Sequence, residues 1–183
     1  TDVDIVELNI SCPNVKHGGM GFGTDCNMAA NVTKEVRRVY KKHLIVKLTP
    51  NVTSVVDIAK SVEGEGADSV SLINTVLAMA VDCEKQLPIL STTTGGLSGP
   101  AIKPIALRQV WQVAHSVKIP VVGVGGICSM NDVVEFLLVG ASAVEIGTMN
   151  FIDPTICPKI IKDLSSYFNR HNISNIKEII GKI

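Results

Sequence analysis

Apolar residues recur along this chain in short runs separated by longer stretches of helical period. The runs Ile5–Ile10, Leu44–Leu48, Ser69–Asn74, Val121–Val124 and Ala143–Ile146 are rich in Val and Ile, as expected of strands buried on both faces of a parallel sheet. Between them the spacing predicts helices over about Asn27–Tyr40, Thr53–Glu63, Ile105–Val117, Met130–Val139 and Thr155–Asn169. Asn131-Asp132 and Asp153-Pro154 are of helix-start type. Gly64, Gly66 and Gly140 stand where helices should stop before the next strand. The stretches "EGEGADSVSLIN" and "LVGASAVEIGT" both pass from a helix end through Gly-Ala into a strand, which marks a repeated β/α unit.

The expected architecture is therefore α/β with a parallel sheet, one domain spanning 1–183. One interval breaks the rhythm: from Thr75 to Pro104, with Pro88 and "TTTGGLSGP" inside it, no clean helix is predicted. An insertion or hairpin at about 76–98 is expected there, and long insertions in compact domains usually serve function. Five strands suit an open sheet or part of a closed barrel, which takes eight strands and about 250 residues. Thr1–Asp4 offers no unit to cover the first strand. The expectation is a (β/α)8 TIM barrel of which this chain supplies roughly the last five β/α units.

Composition narrows the function. Over 183 residues the formal net charge is +0, with 46% hydrophobic and 19% charged residues, ordinary for a globular domain. A neutral balance without a basic stripe argues against nucleic acid or an anionic membrane as partner. No apolar run reaches the roughly 20 residues of a membrane span, and the polar opening Thr1-Asp2-Val3-Asp4 is not that of a signal peptide. The cysteines, Cys12, Cys26, Cys83, Cys128 and Cys157, are odd in number, with no C-x-x-C pair. They read as reduced thiols of a cytoplasmic protein. His17, His43, His115 and His171 show no metal-ligand spacing, so no metal is expected.

Candidate chemistry gathers just after the strands, where α/β folds bind ligands. There stand Asn9, Ser11, Cys12 and Asn14, then Lys47 and Thr49, Asn74 and Thr75, Gly125 and Gly126, and Gly147 and Thr148. Gly125 and Gly126 in "VVGVGGI" and Gly147 in "VEIGTMN" allow backbone N–H groups to approach phosphate oxygens, and Thr148 adds a hydroxyl. The bland alternative is that glycines are common in any tight turn. Lys47 interrupts the apolar run "LIVKLTP". Either it is a surface lysine, or a buried ammonium that needs an anion, such as charge developing on a flavin or carbonyl during reaction. Cys12 defaults to core filler, but between Ser11 and Pro13 at a strand exit it is also placed to act as a base if its pKa is lowered. The loop "NVKHGGMGFGTD" with His17 has the glycine content of a lid.

These residues carry a resemblance. "ELNISCPN", "VKLTPNVT", "LINT", "TGGLSGPAIKPIAL", "GVGGI" and "EIGT" occur in this order along nearly the whole chain. Together they resemble the dihydroorotate dehydrogenases of class 1, particularly the type 1B catalytic subunit of bacteria and archaea. The resemblance implies a barrel holding FMN at its carboxyl face and oxidising dihydroorotate to orotate in pyrimidine biosynthesis. It implies that Cys12 is the base removing the C5 proton while a hydride passes from C6 to the flavin; class 2 enzymes have serine there. Asn9 and Asn74 match asparagines that hold the pyrimidine, Asn9 also touching flavin; Thr75 follows Asn74, and Asn14 matches a further substrate contact. Lys47 matches the lysine beside the flavin pyrimidine edge. Ile73 matches a backbone flavin contact, and Gly99, Gly125, Gly126, Gly147 and Thr148 match FMN-binding positions.

The partners implied are the small-molecule substrate, a second copy in a homodimer, and an electron-transfer subunit carrying FAD and an iron–sulfur cluster that leads to NAD⁺. The resemblance also implies further site residues in a first barrel half that these residues do not include, so the chain by itself is expected to bind FMN weakly. Alternatives are a dihydropyrimidine dehydrogenase-like reductase domain, a non-flavin barrel lyase or isomerase with Lys47 as Schiff-base lysine, or a scaffolding half-barrel.

Overall fold

The computed structural model describes residues 2–11 and 19–183, with side chains from 21 onward in the second span. In chain order the strands are β1 (Ile5–Asn9), β2 (His43–Lys47), β3 (Ser69–Leu72), β4 (Val76–Ala78), β5 (Val81–Asp82), β6 (Leu87–Pro88), β7 (Gly95–Leu97), β8 (Val121–Val124) and β9 (Ala143–Glu145). The helices are α1 (Gly19–Gly23), α2 (Cys26–Val39), α3 (Val55–Gly64), α4 (Lys103–Ala114), α5 (Met130–Leu138), α6 (Met149–Ile152) and α7 (Ile156–Arg170). Short 3-10 turns cover Pro100–Ile102 and Ile176–Glu178. The expected strands and long helices all form, with ends moved by a few residues. Two helices were not expected. Gly19–Gly23 is a helical turn where a glycine-rich loop is predicted, and Met149–Ile152 follows directly on the last strand.

β1, β2, β3, β8 and β9 form one parallel sheet in that order. Each crossover therefore advances the sheet by one strand in the same direction. An open doubly wound sheet reverses at some point; an order that never reverses keeps the helices on one face and is the arc of a barrel. The interval after β3 holds two antiparallel ribbons instead, β4 with β7 and β5 with β6.

The core lies between the sheet's convex face and the helices. Leu44 and Val46 of β2 and Val70 and Leu72 of β3 are fully buried. α3 joins this core through Val55, Ile58, Ala59 and Val62, the i, i+3, i+4, i+7 stripe of a helix with one apolar face, and α4 through Ala106, Val110 and Val113, with the buried Gln109 among them donating to the Pro50 carbonyl. Ser54 caps α3 by accepting from the Asp57 N–H, and Ser129 and Asp132 close a reciprocal capping box on α5. Gly123 in β8 faces the fully buried Phe136 of α5, whose ring occupies the place where a side chain would start: an added Cβ would be 2.4 Å from Phe136 Cδ1.

At the amino ends of the strands, Arg37 near the end of α2 donates to the carbonyls of Gly66, Tyr40 and Lys42 and pairs with Asp68. Asp68 in turn accepts from the Leu44 N–H at 2.8 Å. This hub ties the entries of β2 and β3 together.

Candidate active site

A cavity of about 280 Å³ opens at the carboxyl ends of the strands. Its walls include Lys47 from β2, Ile73, Asn74 and Thr75 after β3, Ser98, Gly99 and Ile102 at the end of the ribbons, Val124 to Cys128 after β8, and Gly147, Thr148, Met149 and Phe151 after β9. Of the predicted site residues, Lys47, Ile73, Asn74, Thr75, Gly99, Gly125, Gly126, Gly147 and Thr148 thus share one space. Asn9 is joined to it through Asn74. Cys12, Asn14 and His17 lie outside the described residues.

The exits of β1 and β3 are linked by amides and a hydroxyl. Ser11, 1% exposed, donates to Asn9 Oδ1 at 2.8 Å and accepts from Asn74 Nδ2 at 2.6 Å. Asn74 Nδ2 also reaches Asn9 Oδ1 at 3.3 Å, while its Oδ1 accepts from the Thr75 N–H. Asn51 ties in the ribbons: it donates to Thr49 Oγ1 and the Thr75 carbonyl and accepts from the Leu77 N–H. Gly96 packs so tightly on Thr75 that an added Cβ would be 2.2 Å from its Oγ1. The orientation of Asn74 and Thr75 is thereby over-determined from both sides.

Lys47 corrects an expectation. Its strand was expected to be buried on both faces, leaving the ammonium to await an anion formed in reaction. The inner face is polar instead. Lys47 Nζ lies 3.3 Å from Glu7 Oε2 and 3.1 Å from Glu145 Oε2, and Ser71 donates to the other oxygen of Glu7. Burial would lower the lysine pKa, but Glu145 and then Glu7 outweigh it and hold the group above its ordinary value. Burial pushes the Glu145 carboxyl up despite the pull of Lys47, and Glu7 adds to the rise. Lys47 is therefore firmly an ammonium, the reverse of what a Schiff-base amine needs.

The glycine wall is a cradle. Gly99, Gly125 and Gly126 have φ of 89°, 127° and 76°, conformations that side chains resist. A Cβ on Gly126 would meet the Lys103 backbone N at 2.8 Å and the Gly99 carbonyl oxygen at 3.0 Å. At Gly147 nothing lies within 4 Å of that position, so its backbone is open to the cavity. The N–H groups of Gly125, Gly126, Gly147 and Thr148 donate no backbone hydrogen bond among the described residues, and Thr148 Oγ1 lies 2.8 Å from Ser98 Oγ. Unpaired N–H groups on a glycine nest suit phosphate oxygens. Behind the nest, Asp132 accepts from the Cys128 and Ser129 N–H groups and the Ser129 hydroxyl, and Lys103 Nζ pairs with it at 2.5 Å.

The family model described as dihydroorotate dehydrogenase matches residues 1–168. The chain belongs to the dihydroorotate dehydrogenase family. It is 61% identical over 181 residues to a protein of Parabacteroides distasonis named dihydroorotate dehydrogenase B (NAD(+)), catalytic subunit, covering 99% of this chain and 59% of the relative. A protein of the same name from Porphyromonas gingivalis is 59% identical over 178 residues, covering 97% of this chain and 58% of that one. The fold agrees: a crystal structure of DHODH from Eimeria tenella in complex with ferulenol superposes with a TM-score of 0.78 at 24% identity, covering 98% of this chain and 54% of that one. The chain thus spans about 60% of the length of the curated relatives it matches, and its sheet is a partial TIM barrel.

In this member of the dihydroorotate dehydrogenase family, several residues in the cavity wall or supporting it are not anticipated from sequence. Glu7 and Glu145 are each flanked directly by apolar residues in "IVELN" and "AVEIG", an alternation that signals polar inward positions. Cys128, read as a bland thiol, lines the cavity. Asp132 was read only as a helix start. Phe151, 90% exposed beside the cavity mouth, carries no sequence signal distinguishing it from a core aromatic.

Proposed function

We propose that the polypeptide containing this chain oxidises dihydroorotate to orotate in pyrimidine biosynthesis, using FMN. The observation that carries this reading is the convergence of the strand exits on one cavity whose far wall is the glycine nest. The unpaired N–H groups of Gly125, Gly126, Gly147 and Thr148 fit the phosphate of FMN, with Gly99 closing that wall. Ile73 would touch the ring system through its backbone, and Lys47 would stand at its pyrimidine edge.

When bound, FMN supplies the hydride acceptor for C6 of the substrate. The chain's own residues do the rest. Asn9, Asn74 and Thr75, fixed through Ser11 and Asn51, would hold the pyrimidine by its amide and carbonyl edges, together with Asn14. Cys12 would remove the C5 proton as general base, a step that needs a thiolate at operating pH. Lys47, kept charged by its carboxylates, would offset negative charge at the flavin's edge. The relatives' name, catalytic subunit, supports a second subunit that passes electrons to NAD⁺; we assign it the FAD and iron–sulfur carriers, with the catalytic chain forming a homodimer in the cytoplasm.

The test is anaerobic titration of the full-length purified protein with dihydroorotate. Bleaching of the bound flavin and release of orotate are expected. Cys12→Ala should keep its flavin and lose nearly all bleaching, with Cys12→Ser retaining a trace at high pH. A protein without flavin, or a flavin that dihydroorotate leaves oxidised, rejects the reading. Full rates in Cys12→Ala would reject the role of the thiol.

A further inference from the structure

We propose that Glu7 and Glu145 are positioning residues for Lys47, and that this pair of carboxylates sets the net charge which the lysine presents to the cavity. The inference rests on the flavin reading above and goes beyond it, since it assigns the group that tunes the lysine.

Three charged side chains meet on the concave face of the sheet, one each from β1, β2 and β9. Two carboxylates against one ammonium leave this layer with one negative charge in excess. Among the described residues neither carboxylate has an ion-pair partner other than Lys47. β3 contributes the Ser71 hydroxyl, which donates to Glu7 Oε1, and β8 contributes the aliphatic Val122 and Val124, which pair with Ser71 and Glu145 in register. His43, deeper on β2, is engaged with Ser69. The lysine side chain is 18% exposed while Glu7 and Glu145 are 30% and 36% exposed, so solvent screens the carboxylates in part and the ammonium less.

The consequence is specific. A free lysine would pull strongly toward any anion in the cavity. Lys47 instead shares its protons with Glu7 and Glu145, and its position is held from opposite sides of the arc. The carboxylates thus restrain the stabilisation that Lys47 lends to negative charge on a reduced flavin. Removing one carboxylate charge, while keeping an acceptor of the same shape, should make the flavin easier to reduce. Removing the lysine charge should make it harder.

The experiment is the two-electron midpoint potential of the bound flavin in the full-length protein, by equilibration with reference dyes, for wild type, Glu145→Gln, Glu7→Gln and Lys47→Met. Both glutamine variants are expected to favour the reduced form by roughly tenfold, about 30 mV for a two-electron couple, and Lys47→Met to shift the opposite way. A merely structural role would not move the potential in one direction in both glutamine variants. If Glu145→Gln does not fold, Glu7→Gln carries the same sign. Unchanged or lowered potentials in the glutamine variants, with flavin bound and reducible by dihydroorotate, overturn this proposal alone. A wild-type protein that holds no flavin overturns the functional reading and this one with it.

Discussion

Lys47 and Glu145 are 98 residues apart in sequence and joined at 3.1 Å across the hollow of the sheet. Their strands, β2 and β9, are separated in the sheet by β3 and β8, so only a curled sheet brings them together. The contact records the barrel's curvature and charges the floor of the cavity.

Breaking that contact has a measurable cost. Lys47→Met leaves Glu7 and Glu145 facing each other without a cation. Because both carboxylates are about a third exposed, water screens part of the penalty, and the expected loss is about 1–2 kcal/mol. Urea unfolding should show a smaller loss for Lys47→Met when Glu145 is already Gln, with a coupling of roughly 0.5–1 kcal/mol. Strict additivity would mean that the ion pair is not energetically shared.

Gly126 should tolerate no side chain. With φ at 76° and the Lys103 backbone N 2.8 Å from an added Cβ, Gly126→Ala faces strain of about 1–2 kcal/mol and a backbone clash that no rotamer relieves. If the nest holds a phosphate, FMN affinity should fall much further than riboflavin affinity. Equal losses for the two ligands would place the phosphate elsewhere.

Acid should loosen the nest. Burial alone would raise the Asp132 carboxyl, but Lys103 and the Cys128 and Ser129 donors hold it below the usual carboxylate range. A carboxyl depressed in the folded state contributes stability that is present above its unfolded pKa of about 3.9 and is lost as pH falls through the lower folded value. Asp132→Asn should therefore cost about 1–2 kcal/mol near neutrality and flatten the decline below about pH 4. Urea midpoints collected from pH 7 down to pH 3 decide it; parallel curves would show that Asp132 is not a source of the slope.

Gly123 is a packing requirement, not a turn. Gly123→Ala pushes a methyl group into the Phe136 ring, 2.4 Å away at its nearest atom, at an expected cost of about 1–3 kcal/mol. Phe136→Leu in the same chain should recover part of that loss, measured by thermal unfolding. No recovery would locate the strain in the backbone instead.

Much of this was legible in the sequence because its signals are local. A buried strand shows as an apolar run, a helix as a stripe at 55, 58, 59 and 62, and a strand exit as the polar residues that follow. Asn74, Thr75, Gly125, Gly126, Gly147 and Thr148 can thus be gathered as a candidate site from the sequence. The sequence reading went astray where local pattern and tertiary setting part. "LIVKL" looks like a strand sunk in hydrocarbon, yet one of its faces looks into a polar interior. In the glycine-rich segment, Gly19–Gly23 forms a helical turn, which glycine content alone does not signal.

What the chain determined by itself is the order of its β/α units and the polar character of each exit, since both depend on side chains within a few residues of one another. Which exits meet, which carboxylates claim Lys47, and how Asn51 and Ser11 lock the asparagines in place were settled only by the folded sheet. Those contacts join residues tens of positions apart, and their energy depends on distance and on exclusion of water, neither of which exists until the strands curl around a common axis.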